Sequence, residues 1–199
     1  MPLFSDPNSH HTLFFIHIPK TGGRAVRQSF LESKYEVTHH LFTQTLFIKN
    51  KEKEIPHLTF PHYNLLSQVK NSPKFSIVRH PLSRFISMLS ENIININTIE
   101  SEKDFLKTIN FLQDFYSESN WFIPQHSFIE DNTQYWKFED GINNKFIEWI
   151  KNKFGFFIEK IHMNYEYRKY DFTQKIKLSP NIKKYVKDYY KKDYEKFGY

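Results

Sequence analysis

The chain has 199 residues, of which 39% are hydrophobic, 18% aromatic and none cysteine, and it carries a formal net charge of +6 with a pI near 9.2. This length and supply of core residues fit one domain (1–199) and exclude a disordered chain, while the lack of cysteine excludes disulfides and thiolate metal sites. The basic balance favours an anionic partner, whether nucleotide, acidic or sulfated glycan, nucleic acid or lipid surface, without choosing among them.

The first predicted element is Leu13 to Ile18 (LFFIHI), a short apolar run stopped by Pro19 and read as a buried strand. After Gly22 and Gly23, Val26, Phe30 and Leu31 share one helical face, with Arg24, Arg27 and Gln28 on the other. Lys34 to Lys53 is mixed and predicts no element. Phe60-Pro-His-Tyr-Asn-Leu-Leu opens a predicted short helix that ends near Asn71-Ser-Pro.

Phe75 to Val78 (FSIV) is a second short strand, stopped at Arg79-His80-Pro81, after which Leu82, Phe85, Ile86 and Leu89 resume helical spacing. The chain thus makes one move twice: buried strand, polar crossing, amphipathic helix. Strands alternating with helices predict an α/β fold, a single parallel sheet flanked by helices, with both crossings opening onto one crevice beyond the strands' carboxyl ends. A helix follows through Phe105, Ile109, Leu112 and Phe115. Another runs through Phe146, Ile147, Trp149 and Ile150 to a cap at Gly155. Ser179-Pro180 starts a closing helix whose buried stripe is Ile182, Tyr185, Val186, Tyr189 and Phe197.

A strand that runs through a glycine-bearing loop into a helix N-terminus is an anion site, because backbone N–H groups converge there and the helix dipole adds positive potential. In "FFIHIPKTGGRAVRQSF" (14–30), Gly22 and Gly23 let the backbone curl, Lys20 supplies a mobile charge and Thr21 a hydroxyl donor. A tight turn with a solvent lysine explains the same residues. The triphosphate loop G-x-x-x-x-G-K-[ST] is absent, since the lysine precedes the glycines.

"FIHIPKTGG" resembles the 5′-phosphosulfate loop of sulfotransferases that use 3′-phosphoadenosine 5′-phosphosulfate (PAPS), in particular the carbohydrate and heparan sulfate 2-O branch, sulfotransferase family 2. "FSIVRHPLSRFIS" (75–87) is similar to that family's 3′-phosphate element. The resemblance continues through "PHLTFPHYNLL", "WFIPQHSFI", "YWKFED" and "LSPNIKKYVKDYYKKDYEKFGY". It implies the sulfotransferase variant of the P-loop nucleotide-binding fold, PAPS as co-substrate, 3′-phosphoadenosine 5′-phosphate (PAP) as product and no metal. By resemblance Lys20, Thr21, Gly22, Gly23 and Arg24 surround the 5′-phosphosulfate, and Arg79 and Ser87, eight apart, hold the 3′-phosphate, with Arg84 a structural brace. Arginine's planar fork at a strand end suits phosphate. Arg24 and Ala25 depart from the family's hydroxyl residues after the glycines, and His80 stands where Asn is common.

The implied reaction moves a sulfuryl group to an acceptor hydroxyl or amine, with a glycan as the implied acceptor, Lys20 stabilising the leaving oxygen and a histidine as base. His57 matches the family's His-Leu-Thr position, with His62 as the alternative. Gln125, His162, Asn164 and Arg168 are further candidate contacts. Two other readings stay open: a nucleotide or small-molecule kinase of related fold, and a module binding nucleic acid or anionic surfaces through Lys183, Lys184, Lys191 and Lys192. No apolar run approaches the ~20 residues of a membrane span, and Met1 to His11 lacks the pattern of a leader, so a cytoplasmic protein is expected, or a Golgi lumenal one if the domain is excised from a longer chain.

Overall fold

Two apolar runs pair side by side at the centre of the sheet. In the computed structural model, which describes residues 1–39, 45–48, 51–54, 57–92, 96, 99–116, 120–161 and 177–199, Thr12–Ile16 pairs in parallel with Lys74–Val78, placing Phe15 opposite Phe75. Lys74–Val78 pairs in parallel with Gln134–Lys137, Ile77 lying opposite Trp136. On the other side, Leu3–Ser5 pairs antiparallel with Thr12–Ile16 and with Glu36–Thr38. Numbered along the chain these are β1 (Leu3–Ser5), β2 (Thr12–Ile16), β3 (Glu36–Thr38), β6 (Lys74–Val78) and β7 (Gln134–Lys137), in the order β3-β1-β2-β6-β7. A separate antiparallel hairpin joins β4 (Thr45–Ile48) and β5 (Lys51–Glu54).

The sheet is therefore mixed: the parallel ladders expected from strand–helix alternation are β2-β6-β7, and β1 and β3 add antiparallel strands. The cause lies in the turn after β1. Asp6 accepts the Asn8 N–H at 2.9 Å and the Ser9 hydroxyl at 2.8 Å, and its own N–H donates to the His11 carbonyl at 2.9 Å. So short a turn returns the chain only as an antiparallel neighbour.

The helices are α1 (Gly23–Glu32), α2 (Pro81–Asn92), α3 (Glu102–Phe115), α4 (Asn144–Phe154), α5 (Pro180–Tyr189) and α6 (Lys191–Phe197). Alternation along the strands divides the core between the sheet's two faces. Leu13, Phe15, Phe75 and Ile77 pack with Val26 and Phe30 of α1 and Phe146 and Ile150 of α4. Phe14, Ile16 and Val78 pack with Leu58, Tyr63, Phe128 and Phe197. A third cluster joins α2, α3 and α5 through Phe85, Leu89, Phe105, Ile109, Ile182 and Val186. Each fully buried Phe contributes about 1.5–3 kcal/mol relative to exposure.

Ser179 caps α5 by accepting the Ile182 N–H at 3.3 Å, and Gly155, at φ +76°, ends α4. Four expectations need correction. Leu31 is 38% exposed and Phe115 69% exposed, because the buried faces of their helices run through Val26 and Phe30, and through Phe105, Ile109 and Leu112. The run after Phe60 forms two 3-10 turns, His62–Leu65 and Ser67–Val69, in place of one helix. Of that run Tyr63 and Val69 are buried while Leu65 is 67% exposed, too thin an apolar face to hold longer helical turns. The closing helix breaks at Tyr190, which turns Asp193 and Phe197 inward. Tyr185 and Tyr189 pack against the α2–α3–α5 cluster, so they form no free stacking platform beside the α5 lysines.

Candidate active site

Because β2, β6 and β7 are parallel, their carboxyl ends lie on one edge of the sheet and deliver residues 17–22, Arg79 and Phe138 to one place. The first crossing is a tight loop. The Thr21 hydroxyl is buried and donates to the Ile18 carbonyl at 2.9 Å, so donation to a ligand requires that bond to be given up. Lys20 sits at φ +68°, a left-handed conformation that costs a non-glycine residue on the order of 1 kcal/mol. Gly22, at φ +90°, occupies the N-cap of α1, where a Cβ would lie 2.5 Å from Ile142 Cδ1. Gly23 has a different reason: a Cβ there would fall 2.1 Å from the His17 ring. The first glycine serves the backbone turn and the second admits a neighbouring side chain. The positive end of the α1 dipole points to this loop, with no acidic residue in the first turn.

The second crossing is bound to the first. Arg79 Nη1 donates to the Lys20 carbonyl at 3.2 Å, and its guanidinium stacks 4.6 Å from the Phe138 ring centre. Gln125, fully buried, accepts the Arg79 N–H at 2.9 Å and donates to the Arg79 carbonyl at 2.8 Å. Its amide is thus committed to backbone, where the sequence reading offered it as a ligand contact. Arg84 is buried and donates to the carbonyls of Pro19, Ile123 and Trp121 at 3.0, 3.1 and 2.7 Å, tying the loop to residues 121–123. Ser87 lies buried on α2, two turns beyond Arg79.

Burial, with Arg24 and Arg79 nearby, lowers the Lys20 ammonium to about 8, even though Glu91 lies against it as an ion-pair partner. Glu91 also faces Arg24 Nη2 at 3.6 Å, and Lys20 Nζ lies 5.7 Å from the Trp121 ring centre. Sequence reasoning missed Glu91, although its place four residues after Ser87 puts it on the same helical face. Trp121 and Phe138 lie in the segments WFIPQHSFI and YWKFED that carry the resemblance, but neither was singled out as a site residue.

His57 is 3% exposed, and burial holds its imidazole well below the usual range, so it is neutral. His17 is neutral for the same reason, and the two rings lie 5.0 Å apart, linking His57 through His17 to Gly23. The side chain of Asn120 donates to the His57 carbonyl at 2.9 Å. His62 stands on the first 3-10 turn, its Nδ1 3.2 Å from Thr59 Oγ1. The structure therefore gathers Lys20, Gly22, Gly23, Arg24, Arg79 and His57 around the two crossings. His162, Asn164 and Arg168 lie outside the described residues. Among the described residues, no group of three or more His, Cys, Asp or Glu side chains is placed to hold a metal ion, and no helix is long and apolar enough to cross a membrane.

A lysine and a helix N-terminus at the first crossing and an arginine fork at the second fit a ligand bearing two anionic groups. In comparison with known proteins, residues 6–152 match the family model described as "Sulfotransferase family". No curated protein and no solved structure matches the chain. The matched span holds both crossings and well over half of the sequence, and the chain therefore belongs to the sulfotransferase family, enzymes that transfer a sulfuryl group.

Proposed function

We propose that this chain, as one domain, moves a sulfuryl group from PAPS to a hydroxyl or amine of a carbohydrate acceptor and releases PAP. The observation that carries the choice of donor is the 3.2 Å contact from Arg79 to the Lys20 carbonyl, which brings two anion-ready crossings together as the two phosphate-bearing ends of one nucleotide require. The donor supplies a sulfuryl group already activated on a phosphate oxygen. Lys20, the N-terminus of α1 and Arg24 hold the 5′ end, while Arg79 and Ser87 hold the 3′-phosphate.

In the transfer, the acceptor oxygen bonds to sulfur as the bond from sulfur to the phosphate oxygen breaks. Lys20 neutralises the charge left on that phosphate oxygen, and the acceptor proton passes to His57. Burial keeps the His57 imidazole neutral, the form from which a base accepts a proton, while also lowering its basicity. The carbohydrate acceptor rests on the resemblance of the motifs to the 2-O branch.

The test is transfer of labelled sulfate from PAPS, screened across saccharide, lipid, tyrosyl-peptide and small-hydroxyl acceptors. Transfer to saccharides supports the reading, and transfer confined to another class overturns the acceptor. His57→Ala should bind PAP and fail to turn over; robust turnover would hand the base to His62.

A further inference from the structure

The backbone on both sides of Arg79 is held by the last helix of the chain. Asp193 of α6 is a fully buried carboxylate, and burial of a charge is tolerated only when its oxygens are satisfied. They are: Oδ2 accepts the Gln125 N–H at 2.7 Å, and Oδ1 accepts the His126 N–H at 2.8 Å and lies 2.8 Å from His126 Nδ1. Gln125, fixed in this way, grips both the N–H and the carbonyl of Arg79.

A second relay arrives at the next residue. The Tyr199 hydroxyl donates to Glu139 Oε2 at 2.9 Å, and Glu139 Oε1 accepts the His80 N–H at 2.8 Å. The His80 ring meets Tyr194 and Tyr199 edge-on, each at 5.4 Å. Tyr199 is itself held by Lys137, whose Nζ lies 4.6 Å from its ring centre and donates to the Gly198 carbonyl at 3.0 Å. Phe197, buried with Phe14 and Ile16, and Tyr194, packed against the α2–α3–α5 cluster, anchor α6 through apolar contact. The polar contacts do something else, since they converge on two consecutive backbone units, 79 and 80.

We propose that α6 and the C-terminal tyrosine position the 3′-phosphate subsite, with Asp193 and Tyr199 setting the aim of Arg79 through the Gln125 and Glu139 relays. This rests on the reading that Arg79 binds the 3′-phosphate. Asp193 and Tyr199 are positioning residues and touch no ligand. Discrimination for a 3′-phosphate, more than general nucleotide binding, is what they control.

The experiment compares affinities for PAP and for adenosine 5′-monophosphate, which lacks the 3′-phosphate, in the full chain and in Tyr199→Phe, Asp193→Asn and Arg79→Ala. Tyr199→Phe removes one hydroxyl and should lower PAP affinity about fivefold, the worth of one ordinary hydrogen bond, while affinity for the monophosphate stays constant. Asp193→Asn should lower the same ratio further. If Asp193→Asn does not fold, Tyr199→Phe alone decides the matter. Equal losses for both nucleotides, or no loss for either, overturn the proposal. An unchanged ratio in Arg79→Ala overturns the 3′-phosphate reading together with it, whereas a collapsed ratio in Arg79→Ala and a normal one in both α6 variants overturns the positioning role alone.

Discussion

Replacing Arg84 by Met keeps most of the side-chain volume and removes the guanidinium that joins Pro19 to residues 121–123. Three carbonyls, of Pro19, Ile123 and Trp121, then lose their donor in a site that is 1% exposed. Each buried acceptor left unsatisfied costs about 1–3 kcal/mol, while the variant recovers several kcal/mol that burial of the charge had cost. The net expectation is a loss of about 3–5 kcal/mol, typical of a buried charged partner removed from its network. For a chain of this size each kcal/mol moves Tm by about 2–4 °C, so the melt should fall by roughly 6–20 °C. Circular dichroism melts with and without PAP measure both parts of the argument, because the displaced loop should also shrink the PAP-induced rise. A variant that melts with the parent would show that these three hydrogen bonds do no more than repay the desolvation of the charge.

The Lys20 ammonium, lowered to about 8 from an ordinary 10.5, should make pH act in opposite directions on binding and folding. PAP affinity, measured by titration calorimetry, should fall as pH rises through about 8 and the ammonium is lost, and Lys20→Arg should flatten that fall. Between those two values the unfolded chain holds the proton that the folded one has released, so stability should rise with pH; parallel trends would refute the assignment. Gly23→Ala sets a methyl against the His17 ring and should destabilise by about 1–3 kcal/mol in urea unfolding. Adding His17→Ala should recover part of that loss, and strictly additive losses would mean the two positions do not touch.

What could be read from the sequence was what chain-local chemistry controls. The strands at Leu13 and Phe75 stood out because each short apolar run ends in proline and charge, and Ser179-Pro180 and Gly155 marked helix ends through their capping chemistry. Strand–helix alternation already set Lys20 and Arg79 on one crevice, but the direct contact between them depends on the pairing of β2 with β6. β1 is three residues long, too short for any periodicity to reveal it. The inward turn of Asp193 was hidden because its donors, Gln125 and His126, come from a distant segment. Glu91 was not singled out, because its contact with Lys20 joins α2 to the loop after β2 and arises only in the fold.

The pairings of the sheet differ sharply in the length of chain they close. The β1–β2 hairpin spans the few residues between Ser5 and Thr12, whereas the parallel pairings run from Phe15 to Phe75 and from Ser76 to Tyr135. A roughly tenfold longer loop costs about 2 kcal/mol more in closure entropy, for each of the two parallel ladders. Long-range pairing of this kind slows folding, and here it has a local result: Lys20, Arg79 and Phe138 become neighbours only once both ladders have closed. Opening of β6 separates Arg79 from the loop after β2 and so parts the two crossings. A nucleotide that binds across them therefore acts as a clasp on the central ladder and stabilises the paired sheet by mass action.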